Sequence, residues 1–98
     1  MIVVATLRAQ AGKEKGLENV LTATVGPARK DHGNNAYSLL RVTDTEDEFI
    51  LVEGWDSKAD YDAHMASDHT AALIAALGDL LAEAPQIRIC ETIEAEGK

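Results

Sequence analysis

The stretch FILVEGWDSKADYDAHMASDH, residues 49–69, carries the strongest local signals in the chain. An apolar strand pattern ends at Trp55, the only tryptophan among 98 residues. A polar segment follows, in which Ser57 is a good helix N-cap and Asp60, three residues later, can reach back to it. Two of the three histidines also lie in this stretch. Because only 4% of the chain is aromatic, this cluster of rings predicts the wall of a ligand pocket.

The composition limits the classes of function. A length of 98 residues is that of one domain, which we assign to residues 1–94, with residues 95–98 expected to form a frayed tail. The net charge of −8 disfavours nucleic acid and anionic membranes as partners, because clustered Lys and Arg bind phosphates. The single cysteine, Cys90, rules out an internal disulfide. With no signal peptide and no membrane-length apolar segment, the sequence predicts a cytoplasmic domain.

Working outward from the opening stretch, apolar periodicity predicts the other elements. Alternating patterns predict four strands, at residues 2–9, 36–43, 48–55 and 86–94. Helical spacing predicts three helices, at residues 13–31, at residues 58–66, and from Ser67 or Asp68 until Pro85 ends the last one. The acidic loop DTEDE between the second and third strands is typical of a hairpin connection.

This order, with the last two helices taken as one unit, is β-α-β-β-α-β. It predicts an α+β, ferredoxin-like fold with an antiparallel sheet and all helices on one face. The first strand is apolar on both faces, with Val3, Ala5 and Leu7 on one and Ile2 and Val4 on the other. The face without helices therefore needs a cover. The same sheet of a second subunit is the simplest cover and predicts a homodimer.

One helical face carries the candidate base. Tyr61, His64 and Met65 lie at i, i+3 and i+4, so they share that face. An imidazole in this position can act as a base near neutral pH. The equally weighted alternative is a core histidine that is satisfied by a backbone carbonyl.

A buried carboxylate is expected on the third strand. Glu53 and Trp55 share a strand face with Phe49 and Leu51, so Glu53 is close to the core and needs a partner if that face meets the helices. Arg41, on the neighbouring strand, and Arg88 are the candidate partners. A structural ion pair, or exposure at the rim of the sheet, is favoured over a catalytic role.

The spacing of the histidines disfavours a metal. His64 and His69 are five residues apart, which is about 140° on a continuous helix, unlike the i, i+4 pair of a zinc-binding HExxH motif. A break at residues 67–68 can bring the two together, but Cys90 and His32 are not at ligand spacing with them. The sequence therefore predicts no metal site.

Three segments carry a resemblance to a known family: MIVVATLRAQAGKEKGLENVL, FILVEGWDS and ADYDAHMASDHTAAL. They resemble the antibiotic biosynthesis monooxygenase (ABM) domain family, especially its small, single-domain, quinol-monooxygenase-like members. The most specific part is Trp55 followed by the H-x-x-S-x-H pattern that begins at His64. The resemblance implies a dimeric α/β barrel of two ferredoxin-like subunits, each with a pocket between sheet and helices.

The resemblance also implies a chemistry. Monooxygenase members oxidise phenols or quinols with molecular oxygen and without metal, flavin or haem, so no cofactor is expected. Deprotonation makes an electron-rich phenol easier to oxidise, and the implied catalytic residues are His64, as the base, and Trp55. The implied substrate-binding residues, of which His69 or Arg41 would hold the developing anion, are Arg41, Glu53, Tyr61, Met65 and His69.

The chain also departs from the family pattern. Relatives often have an aromatic residue where this chain has Thr70, and Ile74 occupies the axial-histidine position of haem-degrading relatives, which disfavours haem degradation. Two other functions stay open. One is an isomerase of a small phosphorylated metabolite, with Arg41 and Arg88 on the phosphate. The other is a non-catalytic dimeric binding or stress protein, in which the histidines are structural.

Overall fold

The computed structural model describes residues 1–94, and residues 95–98, the expected tail, lie outside that range. In the described part of the chain, no helix is long and apolar enough to cross a membrane. The elements in chain order are β1 (Ile2–Arg8), α1 (Glu14–Arg29), β2 (Asn34–Arg41), β3 (Glu48–Trp55), α2 (Lys58–Met65), α3 (Asp68–Leu77) and β4 (Gln86–Cys90).

The strands form one antiparallel sheet in the order β2-β3-β1-β4. This order confirms the α+β, ferredoxin-like prediction, and β2 and β3 form the predicted hairpin. Val3, Ala5 and Leu7 of β1 face the helices and are buried. Leu17 and Leu21 of α1 are fully buried in the same layer. Each aliphatic side chain of that size contributes roughly 1.5–3 kcal/mol on burial, which fixes α1 against the sheet.

The end of α3 differs from the prediction. The helix ends at Leu77 rather than near Pro85. A turn follows, in which the Leu80 N–H donates to the Leu77 carbonyl at 2.9 Å. Leu80 and Leu81 therefore pack against the core from this turn and not from a helical stripe. Their apolar spacing continued the helix pattern, but tertiary packing satisfies it without a helix.

The last strand is shorter than predicted. β4 ends at Cys90, which pairs with Ile2 at the start of β1, so residues 91–94 have no partner strand to extend along. No described helix covers this edge, and the helix-facing Ile87 and Ile89 are 49% and 58% exposed. The other element boundaries lie within two residues of the prediction, as is usual for helix and strand ends.

Both predicted caps of the short helices are confirmed. Ser57 Oγ accepts from the Asp60 N–H at 3.1 Å at the start of α2. Ser67 Oγ accepts from the Thr70 N–H at 3.3 Å at the start of α3. Each side chain satisfies one of the free N–H groups of a helix N-terminus. Two caps so close together make α2 and α3 separate helices and turn the chain between them.

Candidate functional site

A cavity of about 280 Å³ lies between the sheet and the helices. Most of its lining is aliphatic and comes from Val3, Ala5, Leu7, Leu51, Leu73, Ile74, Leu77, Pro85 and Ile87. Its polar groups come from Tyr37, Glu53, Tyr61, His64 and Thr70. An apolar cavity with a few converging polar side chains is the usual form of a small-molecule site. Of the rings in the opening stretch of sequence, Tyr61 and His64 line this cavity.

His64 is held by a carboxylate. It lies in the last turn of α2, and its Nδ1 is 2.7 Å from Asp31 Oδ2. Because an ionised carboxylate only accepts hydrogen bonds, Nδ1 is assigned the proton and Nε2 keeps its lone pair. Nε2 lies 3.5 Å from Thr70 Oγ1, which also lines the cavity. The alternative of a histidine held by a backbone carbonyl is wrong, and the carboxylate orients the ring as a general base requires.

Asp31 holds a second histidine as well. His69 Nε2 lies 2.7 Å from the same Oδ2 atom, and the two imidazole centroids are 5.8 Å apart. Burial raises the pKa of Asp31, but the hydrogen bonds from His64 and His69 outweigh burial and hold its pKa below the ordinary value. The carboxylate therefore stays ionised at neutral pH. The break between α2 and α3 brings together two rings that a continuous helix would separate.

Glu53 faces the cavity and is bound to the tryptophan. The Trp55 Nε1–H donates to Glu53 Oε1 at 3.0 Å, and both residues are buried. Burial raises the pKa of Glu53, and the hydrogen bond from Trp55 and the charge of His64 offset this only in part. Burial therefore disfavours the charged form of Glu53, which lies in the cavity wall beside an oriented imidazole.

The two arginines lie away from the cavity. Arg41 donates to Glu18 Oε1 at 2.6 Å, and its guanidinium carbon lies 5.2 Å from the centroid of the Phe49 ring. Arg88 stands opposite Val4, on the face of the sheet that has no helices. The prediction that either arginine pairs with Glu53 is wrong, because the cross-strand neighbours of Glu53 are Val3 and Tyr37. Arg41 and Arg88 also do not converge on a position where both could bind one phosphate group.

The aromatic side chains stack behind and beside the base. The Trp55 ring lies 4.6 Å from the His64 ring, centroid to centroid, and is buried behind it, so Trp55 supports the base and does not line the cavity. Tyr37 meets His64 edge to face at 6.2 Å. Burial raises the pKa of both Tyr37 and Tyr61, and the charge of Glu53 raises both further. Both phenols therefore stay neutral donors.

The other predicted substrate contacts divide into two groups. Tyr61 and Met65 line the cavity, as their helical spacing predicts. His69 lies on the far side of Asp31 and contacts His64, but it does not line the cavity. This geometry corrects the expectation that His69 holds a substrate anion.

Sequence reasoning misses Asp31 and Tyr37 as site residues. Tyr37 stands directly opposite Glu53 in the hairpin register, so a register assigned from the hairpin would have identified it. Asp31 follows the last turn of α1, and its partners are 33 and 38 residues away. Nothing in the local pattern around Asp31 points to either contact. In the sequence, Thr70 stands out only because relatives often have an aromatic residue at this position. In the structure, its hydroxyl oxygen lies 3.5 Å from His64 Nε2.

The chain matches the model of an established family over most of its length. The family model for antibiotic biosynthesis monooxygenases matches residues 1–76. The chain belongs to the antibiotic biosynthesis monooxygenase family. No curated protein matches the chain.

Solved structures repeat the whole fold. A Pseudomonas aeruginosa protein is 25% identical, with 95% of this chain and 93% of that one covered and a TM-score of 0.90. A Mycobacterium tuberculosis protein is 26% identical, with 97% of each chain covered and a TM-score of 0.89. The structure of an antibiotic biosynthesis monooxygenase is 18% identical, covers 96% of this chain and 100% of that one, and has a TM-score of 0.88. At 18% identity, that likeness shows the fold alone.

Proposed function

We propose that the protein is a cofactor-independent monooxygenase that oxidises a small phenolic or quinol-like substrate with molecular oxygen. The observation that carries the proposal is His64, oriented by Asp31 at 2.7 Å, on the wall of an apolar cavity. A volume of about 280 Å³ lies at the lower end of the range of ligand pockets, roughly 300–1,000 Å³, and therefore suits a small substrate of one or two rings. Membership of the ABM family supports the same reaction type.

The first step is removal of the phenolic proton. His64 Nε2 accepts the proton, and the Asp31 carboxylate stabilises the imidazolium through its bond to Nδ1. The resulting phenolate gives up electrons to dioxygen far more readily than the neutral phenol does. In the overall reaction of a phenol, a ring C–H is replaced by a second carbonyl, and the other oxygen atom leaves as water. A quinol gains a ring hydroxyl at a C–H in the same way and becomes a hydroxyquinone, with one dioxygen consumed and one water released. The ring supplies the electrons, so the equation balances with one phenol and one dioxygen giving one quinone and one water.

The remaining polar groups of the cavity have roles in the same scheme. Tyr37 and Tyr61, kept neutral by burial, donate hydrogen bonds to the developing oxygen anion. Glu53, whose pKa burial raises, is the carboxyl group in the cavity wall that can pass a proton to the departing water. The aliphatic lining excludes bulk water, which strengthens each of these interactions.

A homodimer is part of the proposal. On the face of the sheet opposite the helices, Ile2, Val4, Ile50 and Val52 are only half-buried, and Leu40 is 48% exposed. Antiparallel sheets usually present polar side chains on a solvated face, so this apolar face needs a cover. A second copy packed sheet to sheet supplies the cover. It leaves the cavity between sheet and helices free in each subunit.

Oxygen dependence tests the proposed reaction. The protein is incubated with a panel of hydroquinones and naphthols in air and under nitrogen, and quinone absorbance and oxygen uptake are followed. We expect quinone formation above the protein-free blank in air only, with one dioxygen consumed per quinone. Equal rates in both atmospheres, or rates equal to the blank across the panel, would contradict the proposal.

A further inference from the structure

Three side chains beside the cavity form a set of donor atoms suited to a transition metal. Asp31, His64 and His69 each offer one ligand atom, and these atoms lie within 4.8 Å of one another. We propose that these three residues bind a divalent transition-metal ion such as Zn²⁺, which replaces the two protons that now lie between the carboxylate and the imidazoles. Two imidazoles and a carboxylate suit Zn²⁺ and its first-row neighbours.

The helix break is what makes this site possible. On one continuous helix, the spacing of His64 and His69 would point the two rings apart. Instead, His64 ends α2 and His69 begins α3. Asp31 approaches from the turn after α1, so the donors come from three separate parts of the chain.

The donor atoms need to move only a little. His64 Nδ1 and His69 Nε2 each lie 2.7 Å from Asp31 Oδ2. A tetrahedral Zn²⁺ with bonds of about 2.0–2.2 Å separates neighbouring ligand atoms by about 3.3 Å. An ion therefore fits when each of these two contacts opens by about 0.6 Å and the two imidazole nitrogens, which lie within 4.8 Å of each other, adopt a similar separation.

Solvent can reach this position. The side chains of His69 and Asp31 are 31% and 20% exposed, whereas that of His64 is 5% exposed. The two accessible side chains can therefore shift while His64 stays fixed by packing. An ion held here keeps a position open for water, and the net charge of −8 on the chain favours the approach of a cation.

Thr70 supplies the outer contact that a metal-bound imidazole usually has. When His64 Nδ1 binds the ion, Nε2 carries the ring proton, and Thr70 Oγ1 at 3.5 Å is placed to accept it. The lone pair that would accept a phenolic proton is then absent. If the proposed oxidation holds, the ion inhibits it. The binding itself does not depend on that function.

Metal titration of the full chain tests the proposal. Chelator-treated protein is titrated with Co²⁺, followed by its visible d–d absorption, and with Zn²⁺ in a calorimeter. We expect one ion per chain, and binding weakened at least about tenfold in His69→Ala and in Asp31→Asn. His32→Ala is the matched control, because His32 pairs with Asp60 in a similar contact with its side chain 94% exposed. It should bind like the wild type.

A second measurement needs no variant. In the NMR spectrum of the wild type, Zn²⁺ should shift the ring resonances of His64 and His69 and leave those of His32 unchanged. His69→Cys, which keeps a ligand atom, should retain binding that His69→Ala loses. No binding by the wild type, a shift confined to His32, or full affinity in His69→Ala would overturn the assignment. None of these readouts requires turnover, so the metal site and the monooxygenase proposal can fail separately.

Discussion

Asp31 Oδ2 accepts a hydrogen bond from His64 Nδ1 at 2.7 Å, although the two residues are 33 positions apart in the chain. The contact joins the turn after α1 to the end of α2 and orients the imidazole so that Nε2 keeps its lone pair, 3.5 Å from Thr70 Oγ1. This hydrogen bond also orients the residue that we propose as the base. Its removal should therefore affect turnover more than substrate binding.

Asp31→Asn tests this connection. An amide can present its NH₂ group to Nδ1, which favours the tautomer with the proton on Nε2 and removes the base. We expect the kcat for phenol oxidation to fall about 10–100-fold with little change in KM, measured by oxygen uptake at saturating substrate. Asp60→Asn is the matched control, since Asp60 contacts His32 Nδ1 at 2.8 Å on the exposed surface. An equal loss in both variants would contradict the assigned role of Asp31.

Glu53→Gln should stabilise the fold at neutral pH. Burial raises the pKa of Glu53 above its ordinary value of 4.5, so the stability linked to this group is present below pH 4.5 and is lost as pH rises through the folded-state pKa. Glutamine keeps an oxygen that can accept from Trp55 and has no charge to bury. Urea unfolding should therefore show a larger free energy of unfolding for Glu53→Gln than for the wild type at about pH 7, and the difference should disappear well below pH 4.5.

The Asp31→Asn variant provides a comparison of opposite sign. The pKa of Asp31 is lowered from 3.8, so its stabilising effect is present above pH 3.8 and is lost as pH falls through the folded-state pKa. Asp31→Asn should therefore lower the free energy of unfolding at neutral pH and converge with the wild type in acid. If the two variants show the same sign at neutral pH, the electrostatic account of the site is wrong.

Gly33→Ala should destabilise the protein more than Gly12→Ala. Both glycines have positive φ angles, +82° and +86°, so each alanine strains the backbone by about 1 kcal/mol or more. A methyl group at Gly33 would also collide with the Asp60 carboxyl group, whereas one at Gly12 would meet nothing within 4 Å. Asp60 accepts a hydrogen bond from Ser57, the N-cap of α2, so a displaced Asp60 would also disturb the start of the helix that carries His64. In thermal unfolding, the Tm of Gly33→Ala should lie below that of Gly12→Ala by about 4 °C or more.

Val4→Glu should turn a dimer into a monomer. Val4 lies on the apolar face of the sheet without helices, where a second copy would bury the new charge. Ile89→Glu is the control, because Ile89 is on an adjacent strand but faces the helix side and is 58% exposed. Sedimentation should report a monomer for Val4→Glu and a dimer for both the wild type and the control. A monomeric wild type would refute the covered-sheet argument.

The sequence predicts those parts of the molecule that depend on short-range patterns. Alternation and capping are local, so the strands, the hairpin and the caps at Ser57 and Ser67 are confirmed. The burial of Glu53 also follows from alternation alone. The partner of Glu53 does not follow from alternation. Trp55 lies two residues further along the same strand face, and its indole N–H donates to Glu53 in place of an arginine across the sheet.

The centre of the candidate site depends on long-range packing, which the sequence does not show. Asp31 is a polar residue after a helix, where a solvated carboxylate is the ordinary outcome. Only the packing of α1 against α3, which sets the turn after α1 beside the break between α2 and α3, brings it to both histidines. For the same reason, the spacing of His64 and His69 argued against a shared ligand, and a two-residue interruption between helices reversed that geometry.

The central claim is that this site ionises a phenol, and an oxygen-free experiment tests it most directly. A phenol whose own pKa lies well above the buffer pH is mixed with the protein under nitrogen, and the phenolate absorption band is recorded. We predict that the band appears with the wild type in proportion to bound phenol and is lost in His64→Gln, which still binds the phenol. Binding without the band in the wild type, or an undiminished band in His64→Gln, would contradict the claim.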